Sequence, residues 1–190
     1  MKKENKKTKK GIKLIIPIVL LLLVTIGVSF AYFTAKISGS EIATTITVSG
    51  GTMTINYAGG SAITASNIYP QSAAIVTKNF TITGNNNAAI IMKYKVTLVV
   101  QTNTFSSGAL EYKLTSENTN SNGTPIPAVT TYTDIATSDI LLGNGQFTAA
   151  TGGNKIHTYS LTIYFLDTGT DQNTNQGKAF TGYLKTEAVQ

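Results

Sequence analysis

The 190-residue chain has no cysteine, no tryptophan and no arginine, and its fifteen lysines against nine acids give a formal charge of +6. Without cysteine there are no disulfides and no thiolate metal sites, so any core holds by packing alone. Seven of the lysines but only Glu4 among the acids lie in residues 1–31, so the remainder is neutral and offers no basic patch for nucleic acid.

The N-terminal segment has the layout of an export signal. Lys2, Lys3, Lys6, Lys7, Lys9, Lys10 and Lys13 precede an apolar run from Leu14 to Phe33, interrupted by Pro17, Thr25, Gly27 and Ser29. A positive flank resists translocation while the apolar stretch enters the bilayer, which sends the rest of the chain outside. Ser29 and Ala31 put small residues where a signal peptidase reads them, so cleavage is expected near Ala31, Tyr32 and Phe33. The alternative is a retained membrane anchor, since about twenty apolar residues also suffice to span a bilayer. The division that follows is a signal helix over 1–31, an extended segment over 32–48 and a single sandwich domain over 49–190.

Beyond residue 40 the apolar spacing is two, the period of strands with one buried face. Segments 41–48, 52–57 and 75–83 read as strands. The strongest strand places Ile90, Met92, Tyr94, Val96, Leu98 and Val100 on one face, with Lys93, Lys95, Thr97 and Gln101 on the other. Leu110, Tyr112 and Leu114 repeat the pattern. Residues 117–139, with Pro125 and Pro127 and few bulky apolar side chains, read as a long surface connection. Strands follow at 140–142, at Leu161, Ile163 and Phe165, and at 179–189. Turns are expected at Gly59-Gly60, Gly84-Asn85-Asn86-Asn87, Ser121-Asn122-Gly123, Gly143-Asn144-Gly145 and Gly152-Gly153-Asn154. No segment has a convincing helical period, so the chain is expected to be all-β, an antiparallel β-sandwich or jelly roll.

Few residues suggest catalysis. His157 is the only histidine and shares its face with Tyr159, Leu161 and Ile163, which reads as an ordinary strand-end residue rather than a base. Asp167, Thr168, Thr170 and Asp171 offer too few oxygen ligands for a calcium loop. No glycine-rich stretch joins a strand to a helix as phosphate binding requires. The reading is a protein that is not an enzyme, with no catalytic residue, metal or cofactor.

Three stretches resemble the TasA/camelysin (CalY) family of exported bacterial biofilm-fibre proteins. Ala31-Tyr32-Phe33-Thr34 is similar to the junction that a SipW-type signal peptidase handles in that family. Ser49-Gly50-Gly51-Thr52-Met53-Thr54-Ile55, Asn67-Ile68-Tyr69-Pro70 and Val76-Thr77-Lys78-Asn79-Phe80-Thr81-Ile82 resemble its small-residue strand, its proline turn and its Lys-x-Phe strand. Asn175-Gln176-Gly177 and the closing Glu187-Ala188-Val189-Gln190 resemble its Gln-Gly turn and last strand, whereas residues 103–154 have no counterpart.

The resemblance implies a jelly-roll-like sandwich that assembles by donor-strand exchange with copies of itself or related fibre subunits. Phe33, Ala35 and Ile37, then Ile42, Ile46 and Val48, alternate as such a donor would, at about 1.5 to 3 kcal/mol per large apolar side chain buried. The competing arrangement pairs 41–48 within its own subunit. The function expected is therefore a secreted structural subunit of cell-surface or biofilm fibres, with a signal peptidase as partner and membrane contact only through the N-terminal segment. Camelysin, described in its family as a metalloprotease, supplies the rival activity, but no zinc-binding helix motif is present to carry it. A third reading keeps the leader as an anchor for an ectodomain that binds glycans or other surface ligands.

Overall fold

The computed structural model describes residues 53–59, 61–86, 91–149 and 152–189. They form an antiparallel β-sandwich. The strands are β1 (Met53–Ala58), β2 (Ile63–Ser66), β3 (Val76–Asn86), β4 (Met92–Asn103), β5 (Glu111–Asn118), β6 (Val129–Asp134), β7 (Ile140–Phe147), β8 (Lys155–Tyr164) and β9 (Ala179–Val189). The only helix among the described residues is a 3-10 turn, Asn173–Asn175.

One sheet has the order β1-β3-β8-β5-β6 and the other β2-β9-β4-β7. The partners nest: β2 pairs with β9, β3 with β8, β4 with β7 and β5 with β6. A long hairpin rolled so that its strand pairs alternate between two sheets is a jelly roll, and β2 to β9 follow that order. β1 adds a ninth strand on the outside of β3.

Alternation explains the layering. Met92, Tyr94, Val96 and Leu98 of β4 turn inward and are all at most 4% exposed. His157, Tyr159, Leu161 and Ile163 of β8 face them from the other sheet, each at most 1% exposed. Thr and Lys between them stay at the surface, where β-branched residues suit a pleated sheet. Phe80 stacks on Tyr159 with centroids 4.8 Å apart, and Phe105 meets Phe165 edge-on.

Three expectations need correction. Gly84, Asn85 and Asn86 continue β3 rather than turning, and Gly143-Asn144-Gly145 lies inside β7. These glycines provide room: a Cβ on Gly145 would collide with the tip of the Tyr94 ring, and one on Gly143 with the Ile126 side chain. The bulge opposite Val96 and Thr97, where Leu142 is the extra residue, lets β7 pass both obstacles. The segment 117–139 is not only a surface connection, for it ends β5, contains β6 and inserts Ile126 and Ile135 into the core at 0% and 2% exposure. β2 and β6 are strands that the pattern did not suggest; β2 has only Ile63 and Ala65 facing in, and β6 is mostly exposed.

Candidate functional site

Between the sheets runs a sealed chain of polar groups. His157 Nε2 lies 2.7 Å from the Asn122 carbonyl, and Nδ1 lies 2.5 Å from the Tyr94 hydroxyl. The Tyr94 hydroxyl is also 2.5 Å from that of Tyr159, which takes a hydrogen bond from the Ile126 backbone N–H at 3.0 Å. The two ends dictate the direction of the whole chain. A carbonyl only accepts, so Nε2 carries the proton and Nδ1 accepts from Tyr94. Tyr94 oxygen then accepts from the Tyr159 hydroxyl, whose oxygen accepts from Ile126. Each group is satisfied in one arrangement of hydrogens.

The surroundings keep the chain uncharged. Phe147 stacks on the His157 ring at 4.2 Å, and burial pushes the imidazole pKa below its ordinary value, against a smaller opposing effect from the Asn122 carbonyl. Burial raises both tyrosines above their ordinary value, and for Tyr94 the neighbouring Tyr159 adds to it. His157 is therefore a fully buried residue within β8 that bridges the sheets, rather than an ordinary strand-end residue. Enclosed between the sheets, the chain ties the backbone of Asn122 and Ile126 to β4 and β8.

Residues 119–128, which the chain anchors, cover one margin of the sandwich. The Asn118 side chain takes the Asn122 N–H at 3.0 Å and donates to the Gly123 carbonyl at 3.1 Å. Thr124 then exchanges two backbone hydrogen bonds of 2.8 Å with Gln146, which closes the outer edge of β7 at that point.

The opposite margin of the same sheet is different. β2 covers only the first part of β9, from Ala179 to Gly182. Residues 183–189 of β9 pair with β4 on one side, and among the described residues no strand lies along their other side. The Val100 N–H is directed to Asp139, on the β7 side of β4, so the register turns the odd residues of β9 toward β4. The main-chain groups of Thr186 and Ala188 therefore face away from β4, where no strand lies among the described residues. Ala188 falls on the inward face by alternation yet is exposed, and the buried Thr186 hydroxyl has no hydrogen-bond partner among the described residues. Outside, Glu187 bridges Lys185 at 2.9 Å and Lys95 at 3.2 Å, and the hydrogen bond from Lys185 leads the effects that hold its carboxyl below the usual range.

No protein-family model matches the chain, and neither a curated protein nor a solved structure does so. Function must therefore be argued from these edges and their chemistry.

The residues singled out for cleavage, Ser29, Ala31, Tyr32 and Phe33, and for strand donation, Phe33, Ala35, Ile37, Ile42, Ile46 and Val48, lie outside the described residues. Among the described residues no three His, Asp or Glu side chains converge as metal ligands, and no helix is long and apolar enough to cross a membrane. Asp167 and Asp171 instead accept the N–H of Gly169 and Asn173, both at 2.8 Å, as turn caps. The polar chain escapes a reading of the sequence because its members are far apart along it, although the shared face of His157 and Tyr159 is visible there. The end of β9 leaves no sequence signal of its own, since among the described residues it is distinguished only by lying beyond the short β2.

The orphaned hydroxyl of Thr186 makes a specific prediction. A buried unsatisfied hydroxyl costs about 1 to 3 kcal/mol, so Thr186→Val should stabilise the chain by about 1 kcal/mol, seen as a higher midpoint in urea at unchanged slope. A lower midpoint would mean that the hydroxyl has a partner in solution.

Proposed function

We propose that the protein is a secreted structural subunit of extracellular fibres, in which the segment 32–48 of one copy adds a strand to β9 of the next. The observation that carries this reading is the end of β9 beyond the four-residue β2, where residues 185–189 have a strand, β4, on one side only among the described residues. The main-chain donors and acceptors of Thr186 and Ala188 are of the kind that an added strand satisfies, and alternate side chains then set the register. The lysines beside it, Lys95 and Lys185, discourage indiscriminate pairing without blocking a matched strand. The donor candidates Ile42, Ile46 and Val48 alternate as the inward face requires.

Ala188→Pro tests this directly. Proline removes one N–H from the side of β9 away from β4 and none from the β4 ladder, and its side chain replaces one that is already exposed. Electron microscopy and light scattering of the exported form should show fibres for the parent and none for Ala188→Pro, with thermal midpoints within about 3 °C. Fibres of equal number from both, or a parent that stays monomeric at high concentration, would reject assembly through this edge.

A further inference from the structure

We propose that the chain Ile126–Tyr159–Tyr94–His157–Asn122 is an acid-sensitive latch: a proton taken up at His157 loosens residues 122–126 and bares the outer edge of β7 at Gln146. β7 and β9 lie on opposite sides of β4 in the sheet, so the latch is independent of strand addition at β9.

Hydrogen-bond polarity makes the chain sensitive to a proton. An imidazolium donates from both nitrogens, so Nδ1–H would face the hydroxyl hydrogen that Tyr94 now directs at it. Tyr94 would have to turn its O–H toward Tyr159, its one other hydroxyl contact. Tyr159 already receives the Ile126 N–H, so on accepting from Tyr94 it would be left with its own O–H aimed at no acceptor. The protonated chain therefore contains an orphaned donor as well as a charge.

Among the described residues, nothing around the ring compensates that charge. β4 presents Tyr94, β8 presents Tyr159, and β7 presents the apolar face of Phe147. β3 places Ile82 opposite His157 in the ladder and β5 places Asn118 there. The covering segment contributes the Asn122 carbonyl, and no carboxylate enters among the influences on the imidazole. A buried charge without a counterion is expelled from the core or draws water in.

The wall that yields is the one with the fewest ties. β3, β4, β7 and β8 are held in ladders, whereas residues 122–126 are fastened by the two ends of the polar chain, the Asn118 and Thr148 contacts and the two Thr124–Gln146 bonds. When both ends of the chain let go, Gln146 loses its cover. The folded form keeps the imidazole neutral while the unfolded chain takes its proton near 6.5, so this stabilisation is complete above that pH and declines as pH falls below it.

Hydrogen–deuterium exchange on the full chain at about pH 7.5 and about pH 5, corrected for intrinsic exchange chemistry, tests the latch. The amides of Thr124, Ile126 and Gln146 should exchange about tenfold faster at the lower pH in the parent. In His157→Gln, whose amide can donate to Asn122 and accept from Tyr94 without titrating, the change should stay below about twofold. Equal acceleration in both proteins, or none in the parent, would overturn the proposal. Should His157→Gln fail to fold, the single imidazole of the parent is read by NMR. Protonation of an Nε2–H tautomer in step with loss of Ile126 protection supports the latch; an Nδ1–H tautomer, or protonation with Ile126 still protected, overturns it.

Discussion

Gly123→Ala should lower the free energy of unfolding by about 2 to 5 kcal/mol, through a strained conformation and a single close approach. Gly123 has φ of 70°, and a Cβ there would press into the backbone carbonyl of Gln146. The left-handed conformation alone costs an L-residue about 1 to 2 kcal/mol. Moving the chain away from Gln146 also breaks the two Thr124–Gln146 bonds, at about 0.5 to 1.5 kcal/mol each. Gly177 is the matched comparison, with the same φ of 70° and no atom within 4 Å of the place a Cβ would take. Gly177→Ala should therefore lose only the conformational part, about 1 to 2 kcal/mol. Urea unfolding of the two variants separates the effects, and equal losses would show that the contact with Gln146 contributes nothing.

The elements that could be read from the sequence are those whose alternation is long and uninterrupted. β4 and β8 each present four inward positions at a spacing of two, and burial on one face is enough to define them. β7 could not be read in the same way, because Gly143 and Gly145 owe their presence to Ile126 and Tyr94, side chains supplied by other elements. A glycine that makes room for a cross-strand ring has the same local signature as a glycine that makes a turn. The segment 117–139 was obscured for a related reason: Ile126 and Ile135 are isolated apolar residues in a polar run, and isolated residues carry no period.

The same separation applies to the functional features. The face shared by His157, Tyr159 and Leu161 followed from spacing alone, but Tyr94 comes to that face only through the stacking of one sheet on the other. Its hydroxyl then makes the interior selective. An apolar residue at any one of the three positions leaves the other polar groups unpaired, so the network favours one alignment of the sheets over neighbouring ones.

That selectivity can be measured through Tyr94→Phe, which should cost about 2 to 5 kcal/mol although it preserves the ring and its 5.6 Å contact with Phe147. The substitution removes the acceptor for the Tyr159 hydroxyl and the donor for His157 Nδ1 together, leaving two buried groups unsatisfied. Tyr159→Phe leaves the Ile126 N–H without its acceptor while Tyr94 keeps its bond to His157, so its loss should be smaller, about 1 to 3 kcal/mol. Each single variant breaks the Tyr94–Tyr159 bond, whereas the double variant breaks it once and leaves no hydroxyl of that pair behind. The double variant should therefore lose about 1 kcal/mol or more less than the sum of the two singles. Urea unfolding at a pH above 7, where His157 is neutral, supplies all four corners of the cycle. Strict additivity would mean that the two hydroxyls act independently and that the chain of hydrogen bonds has no cooperative part in holding the sheets in register.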